Sequence, residues 1–551
     1  MEEADKKLEE RKNKITGWIK DNRILIAILV FAIIIRLYYF ILTKNQPLWW
    51  DEADYMAYAK NLAGYNVEWI VTSQHNSIYP FIVAGLFKIG FSEVFIKFLL
   101  QLIPSFLVVL MMYFICIKMY DDKRIALISS FLMAMFGEFL FNTMRFHIDV
   151  PGLFIGMLAI FVFWQGYEKK ERIFGKINPN WTIPLTVFLV LVTYLIRRGH
   201  LLFGVFFLAY MAFTKKWKDL IKDKYNWIAL FTGSALFLLA EKFIFINKIS
   251  EVGGLYYHEE LPISFFPLNI FSTYFRNITN PSLSILLYLF LIGLVITFYN
   301  IMSSFGYIKK LEKEGVRADL FNILTILITL SFFMFILRIP GPGDPRWYFT
   351  MLLGTFVAIS KSSLLITDFI KKYNKHVSII ILIVLIGYGG YYELKYADFT
   401  IKNKASSFEG IRQASLFIKE NSNPDDLIIS TPITQTSYYS ERKVVTPNDW
   451  VWNGPAPDTP FESVLEKIKQ TPEARYLLVS FSEPNHPLWM KTVQVNQQGQ
   501  MTAWEIPFMD TKVDFVTGAQ DIKQEKTYDG ITFRLVNIKQ DVFIYEIIRN
   551  P

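Results

Sequence analysis

Apolar stretches of about twenty residues recur along this chain, and nothing else in the sequence constrains its fold as tightly. A bilayer core of about 30 Å takes roughly 20 apolar residues in a helix. The first such stretch covers 24–43 (ILIAILVFAIIIRLYYFILT). Others fall near 93–117, 125–143, 150–166, 182–196, 200–214, 226–246, 282–303, 319–337, 347–364 and 377–393, eleven in all. Composition agrees, with 52% hydrophobic and 19% charged residues, where an average soluble domain has about one quarter charged. With 28 glycines, 23 prolines and one cysteine, the chain is not disordered, collagen-like or a disulfide scaffold. The lone Cys116 lies in an apolar run, so no intrachain disulfide is available. No internal repeat or low-complexity tract is visible.

A net charge of +8 would suit nucleic acid if it formed one patch, but here the charges alternate with apolar stretches. They also alternate in sign of side. With the N-terminus inside, the inside segments hold 27 basic residues: seven before residue 24, and the rest near 118–124, 169–176, 215–224, 309–317 and 361–375. The outside loops are longer in total and hold far fewer, as the positive-inside rule demands. No small-residue cleavage site follows the first stretch, so it reads as a retained helix. An odd number of spans puts residues 395–551 outside. The expected division is a basic cytoplasmic segment 1–23, a transmembrane domain 24–394 and an extracytoplasmic soluble domain 395–551.

Past residue 394 the composition changes. Charge and proline rise, and apolar runs shorten to strand length. DLIIS (426–430), KVVTP (443–447), RYLLVS (475–480), ITFRLV (531–536) and VFIYEII (542–548) read as strands. FEGIRQASLFIKEN (408–421) and PFESVLEKIKQ (460–470) have helical spacing. This predicts a small α/β or α+β domain. A glycosylation sequon, Asn277-Ile278-Thr279, falls in the outside loop 247–281.

Polar residues cluster at the outer ends of the spans. Between the first two spans, Trp49 and Trp50 suit a membrane interface, and Asp51, Glu52 and Asp54 open a helical stretch. Carboxylates there gain from the helix dipole; held at a partly desolvated mouth, one of them also suits a general base. A second helix over 78–89 reads as lying on the membrane surface. In the turn NTMRFHIDVPG, Asp149 before Val150-Pro151 reads as an N-cap or as a second acid facing the first. His147 and Arg145 beside it read as plain interfacial residues. Two outside turns are basic against the charge rule: Arg197-Arg198-Gly199-His200 and RIPGPGDPRWY (338–348). Arginine so placed either snorkels to lipid headgroups or grips an anion such as phosphate with a two-pronged fork. Arg36 and Glu138, at similar depth inside the bundle, read as a structural pair. No phosphate loop, GxGxxG, HExxH or GxSxG is present. The six histidines are scattered and Asp51/Asp54 is not a DxD pair, so no cofactor is required; a divalent metal is permitted but not indicated.

In order along the chain, Trp50-Asp51-Glu52-Ala53-Asp54-Tyr55, His75-Asn76-Ser77-Ile78-Tyr79-Pro80, His147-Ile148-Asp149 and Arg346-Trp347-Tyr348 resemble the motifs of the C-type (GT-C) membrane glycosyltransferases. The likeness is greatest to the prokaryotic protein mannosyltransferase and aminoarabinose transferase branch, over roughly 24–393. The resemblance implies a mostly α, polytopic GT-C-like bundle with interfacial helices in the first outside loop. It implies a sugar donor carried on a polyprenyl phosphate in the bilayer and a protein, lipid or glycan acceptor. Asp51 would be the base toward the acceptor hydroxyl, with Glu52 beside it and Asp149 as the second acid. Arg346, Arg197, Arg198 and His75 would hold the donor phosphate, and Tyr55 and Tyr348 would contribute to substrate binding. Direct displacement would invert the anomeric carbon without a metal. A polytopic transporter and a non-enzymatic envelope or glycan-binding assembly protein are the alternative readings.

Overall fold

The computed structural model describes residues 16–67, 77–214, 217–244, 263–275, 284–305, 314–339, 341, 343–452, 459–481, 486–498 and 500–550. His75 and the sequon at 277–279 lie outside them. All eleven expected spans are helical over their described residues. Among the described residues eight helices are long and apolar enough to cross a membrane, or nine if one bent pair counts as a span. Of the other two, Leu202–Thr214 has only 13 residues and Lys224–Phe243 carries Lys224, Glu241 and Lys242. The protein is a polytopic membrane bundle with a β-containing C-terminal domain.

Two compact units are distinguishable: Met1–Lys44, Asn76–Tyr79 and Glu93–Asn403 form one; Asn45–His75, Pro80–Ser92 and Lys404–Pro551 form the other. Most of the first outside loop thus packs with the C-terminal residues. The last apolar helix, Lys375–Lys404, runs past residue 394 without a break.

In the bundle, small residues set the closest contacts, because hydrocarbon gives helices no hydrophobic reason to associate. A Cβ on Gly293 would sit 2.0 Å from the carbonyl oxygen of Ala358, so Ile285–Phe305 and Leu352–Lys371 touch backbone to backbone. The sole cysteine, Cys116, is fully buried in the helix Ile103–Tyr120.

The third expected span is broken. Lys123–Met135 and Gly137–Thr143 meet at Phe136 with a 54° bend. A break in a membrane helix frees backbone groups that need partners. Arg36 reaches across from Arg23–Thr43, its Nη1 donating to the carbonyl of Ala134 at 3.2 Å and its Nε to Ser105 Oγ at 2.8 Å. On the far side of the break, Glu393 accepts the N–H of Gly137 at 3.0 Å. The expected Arg36–Glu138 pair is not formed: Glu138 accepts from the Tyr396 hydroxyl at 2.6 Å. Arg36 instead spends its hydrogen bonds on the Ala134 carbonyl and Ser105.

In the other unit, the strands β1 (Leu427–Ser430), β2 (Lys443–Val445), β3 (Ala474–Ser480), β8 (Glu525–Tyr528), β9 (Ile531–Lys539) and β10 (Val542–Arg549) form a mixed sheet in the order β2-β1-β3-β10-β9-β8. β1 runs parallel to β2 and β3, and β10 antiparallel to β3 and β9. Side chains alternate across it. Ile428, Leu478 and Ile544 meet the helix Glu409–Asn421 through Ile411, Ala414 and Ile418. Ile429, Leu477, Val479 and Phe543 meet Phe461–Gln470 through Val464, Leu465 and Ile468. A separate antiparallel sheet of β4 (Thr492–Val495), β5 (Met501–Ile506), β6 (Thr511–Asp514) and β7 (Gln520–Asp521) completes the strands.

Candidate active site

In the bundle unit, three turns meet at Asp149. The helix Asp149–Phe163 begins at Asp149 itself, its N-cap position is Ile148, and there is no side-chain cap hydrogen bond. The N-cap reading of Asp149 is therefore incorrect. The carboxylate is 0% exposed and turns to arginine. Arg197 Nε lies 2.5 Å from Asp149 Oδ1, and Arg346 Nη1 lies 3.9 Å from Oδ2. Both arginines come from the basic turns that break the charge rule.

Each arginine is held by its own turn. Asp344 caps the 3-10 helix Pro345–Met351, accepting the Arg346 backbone N–H at 3.1 Å through one oxygen and Arg346 Nε at 2.8 Å through the other. The Tyr274 hydroxyl donates to the Pro345 carbonyl at 2.7 Å. Tyr348, fully buried, packs on Phe333 at 4.5 Å. Arg197 follows the helix Thr182–Ile196, where Thr193 donates to the Gly152 carbonyl. A Cβ on Gly152 would meet His200 Nδ1 at 2.6 Å, so the glycine is what lets the second basic turn lie against the start of the Asp149 helix. Arg198 lies 3.8 Å from the buried Glu241, which also accepts from Tyr194.

Two residues expected at the interface are buried instead. Arg145 is 1% and His147 5% exposed. His147 Nδ1 is 2.7 Å from Asn142 Oδ1. Burial first, then the charges of Arg346, Arg145 and Arg197, hold the His147 pKa well below its usual range, so the ring is neutral. Arg197 and Arg346 meet the carboxylates of Asp149 and Asp344, Arg145 lies near His147, and Glu138 lies near Tyr274 on the same side. Guanidiniums so placed can take the oxygens of an anion in a two-pronged hydrogen bond. The signal for Arg145 was present in the sequence, since it too is an arginine in an outside turn.

In the other unit, the helix Trp50–Ala63 opens on the expected carboxylates. Glu52 is 1% exposed and accepts the Trp49 N–H at 3.3 Å, which caps the helix. Asp54 and Tyr55 are buried, and Asp51 is partly exposed. Phe81 of the helix Tyr79–Lys88 packs on Tyr58 at 5.6 Å. Among the described residues, no three His, Cys, Asp or Glu side chains converge as a metal site.

Neither a known family's sequence pattern nor a curated protein matches this sequence. Solved structures do. The oligosaccharyltransferase of Archaeoglobus fulgidus, tethered with an acceptor peptide, is 12% identical with a TM-score of 0.56, over 84% of this chain and 70% of that one. ArnT from Cupriavidus metallidurans is 10% identical with a TM-score of 0.55, over 97% of this chain and 98% of that one. The arabinofuranosyltransferase AftD from Mycobacteria is 9% identical with a TM-score of 0.50, over 96% of this chain and 40% of that one. The chain has the GT-C glycosyltransferase fold. ArnT has also been solved with undecaprenyl phosphate bound, and the Archaeoglobus enzyme with dolichol-phosphate and an inhibitory peptide.

Proposed function

We propose that this protein is a glycosyltransferase that moves a sugar from a polyprenyl-phosphate donor to an acceptor hydroxyl at the outer membrane face. The observation that carries the reading is the pairing of the half-buried Arg197 and Arg346 with the buried Asp149, with the buried Arg145 near the adjacent His147. The fold it shares with ArnT, solved with undecaprenyl phosphate, supports it. A donor whose tail stays in the bilayer needs its phosphate gripped at the outer turns. As the sugar leaves, negative charge grows on that phosphate, and fixed guanidiniums stabilise it most at that moment. Direct displacement at the anomeric carbon inverts its configuration.

The roles then separate. Asp51, partly exposed at the start of its helix, takes the proton of the acceptor hydroxyl; such general-base help is typically worth about 10²–10⁴-fold. Glu52 is engaged in capping and shapes that start. Asp149 lies between two guanidiniums. It is a positioning residue that orients Arg197 and Arg346. Arg198 and Tyr348 support the phosphate-binding turns, while His75 and Tyr55 complete the substrate-binding assignment.

The test is consumption of a polyprenyl-phospho-sugar by purified protein in liposomes, with Asp51→Asn as its control. Turnover should fall by about 10²–10⁴-fold while donor binding is retained. A variant as active as the unaltered protein would remove Asp51 from the chemistry. No donor consumption by the unaltered protein, across hexose and pentose donors, would sink the enzyme reading.

A further inference from the structure

The helix Trp50–Ala63 is held at both ends by C-terminal residues of its own compact unit. At its last turn, Lys60 Nζ lies 3.2 Å from Glu441 Oε1, 3.3 Å from the Tyr438 carbonyl oxygen and 4.0 Å from the centre of the Tyr438 ring. Glu441 is clasped from its other side by Lys419, at 2.7 Å. Asn66, just past the helix, donates to the carbonyls of Pro424 and Glu441. At the leading end, the Tyr439 hydroxyl accepts the Leu48 N–H at 2.9 Å, and Arg412 Nη1 donates to the Asn45 carbonyl at 2.5 Å. Phe408, at φ +68°, sets its ring edge-on to both Trp49 and Trp50.

We infer that the C-terminal domain positions the helix bearing Asp51 and Glu52, with Lys60, Glu441 and Lys419 as its lock. The inference rests on the reading above, in which Asp51 acts on the acceptor. Asp51 and Lys60 share one rigid helix, nine residues or roughly 13 Å apart at 1.5 Å per residue. Fixing the Lys60 end therefore fixes the rotation and tilt of the Asp51 end. The lock is well made for this. Its central pair is largely screened from water, with side-chain exposures of 12% for Lys60 and 19% for Glu441, while Lys419 closes it from the solvent side at 39%. It combines an ion pair with a cation over an aromatic face, which together define an orientation as well as a distance. Glu441 itself closes the helix Ile433–Ser440 in the left-handed conformation at φ +53°, so its side chain leaves from a fixed point. Misplacing a reacting group by about 1 Å can cost about 10²-fold in rate.

Lys60→Met keeps the stem and removes the charge. In the full-length protein it should lower kcat about 10-fold and leave the donor KM within about twofold, since the phosphate site is untouched. Lys60→Arg should recover most of the loss. Glu441→Gln should act in the same direction, and the double variant should be little worse than the poorer single one, because both remove one lock. Independently of turnover, hydrogen exchange in 51–63 should speed up about 10-fold in Lys60→Met, the fold-change expected of a loosened seat. Unchanged exchange overturns the inference whatever the activity does. So does faster exchange with unaltered kcat, which would leave the lock structural only. An unimpaired Asp51→Asn instead strikes the proposed function, and the exchange result then still decides the lock.

Discussion

Arg346 separates charge from geometry in the proposed phosphate site. Arg346→Lys keeps the positive charge but loses the fork that spans Asp344 and Asp149. Its kcat/KM for donor should drop about 10-fold or more, a loss of about 1.4 kcal/mol of transition-state binding. Asp149→Asn should raise the donor KM, since it releases Arg197 and Arg346 from a shared anchor. Equal kinetics for both variants and the unaltered protein would make these arginines plain interfacial anchors. Glu441 offers a pH test. Burial raises its pKa, but hydrogen bonds and charge from Lys419 and Lys60 win and lower it below the ordinary 4.5. A depressed carboxylate contributes stability above its unfolded pKa and loses it as pH falls through the folded one. The seat of the Asp51 helix should thus hold at pH 6 and loosen below about 4.5, read as faster exchange in 51–63. No such change in the unaltered protein would mean that the ion pair adds nothing. That Arg197, Arg346 and Asp149 belong together was legible because charge in a turn between apolar spans is costly without a partner. The environment of His147 was not, since burial depends on three turns that are distant in sequence.

Helices and strands were legible wherever burial is continuous. β1, β3 and β10 are buried on both faces over much of their length, so each carries a short apolar run (LII, YLLV, VFIY). β4, β6 and β7 (TVQV, TKVD, QD) are short and largely polar, and nothing local marks them as strands. The helix Ile433–Ser440 (ITQTSYYS) is rich in β-branched residues and shows no apolar stripe. Contact with Trp50–Ala63 overrides its weak propensity. Helix packing makes a prediction of its own. Gly293→Ala puts a methyl against the Ala358 backbone, which cannot swing away as a side chain can. It should destabilise the detergent-solubilised protein by about 1–3 kcal/mol. Gly387→Ala, with nothing within 4 Å of its Cβ, should change stability little or raise it slightly. Thermal melting of the two variants side by side checks the contrast, and equal midpoints would refute it.

At the scale of the whole molecule, the basic loops predict which ends of the helices face the cytoplasm. The segment 169–176 should lie inside and the C-terminal domain outside. Arg172 and Asp529 are exposed positions in those two regions. The burial of Cys116 makes this simple to measure. With its only thiol packed inside the bundle, the native chain should be silent to water-soluble maleimides, so that no cysteine-free background has to be built. On intact cells a membrane-impermeant maleimide should label Asp529→Cys and spare Arg172→Cys until the membrane is opened. The reverse pattern would invert the protein. The same silence lets any later probe, such as a fluorophore, a spin label or a cross-linker, be set on one chosen residue of an otherwise unaltered molecule.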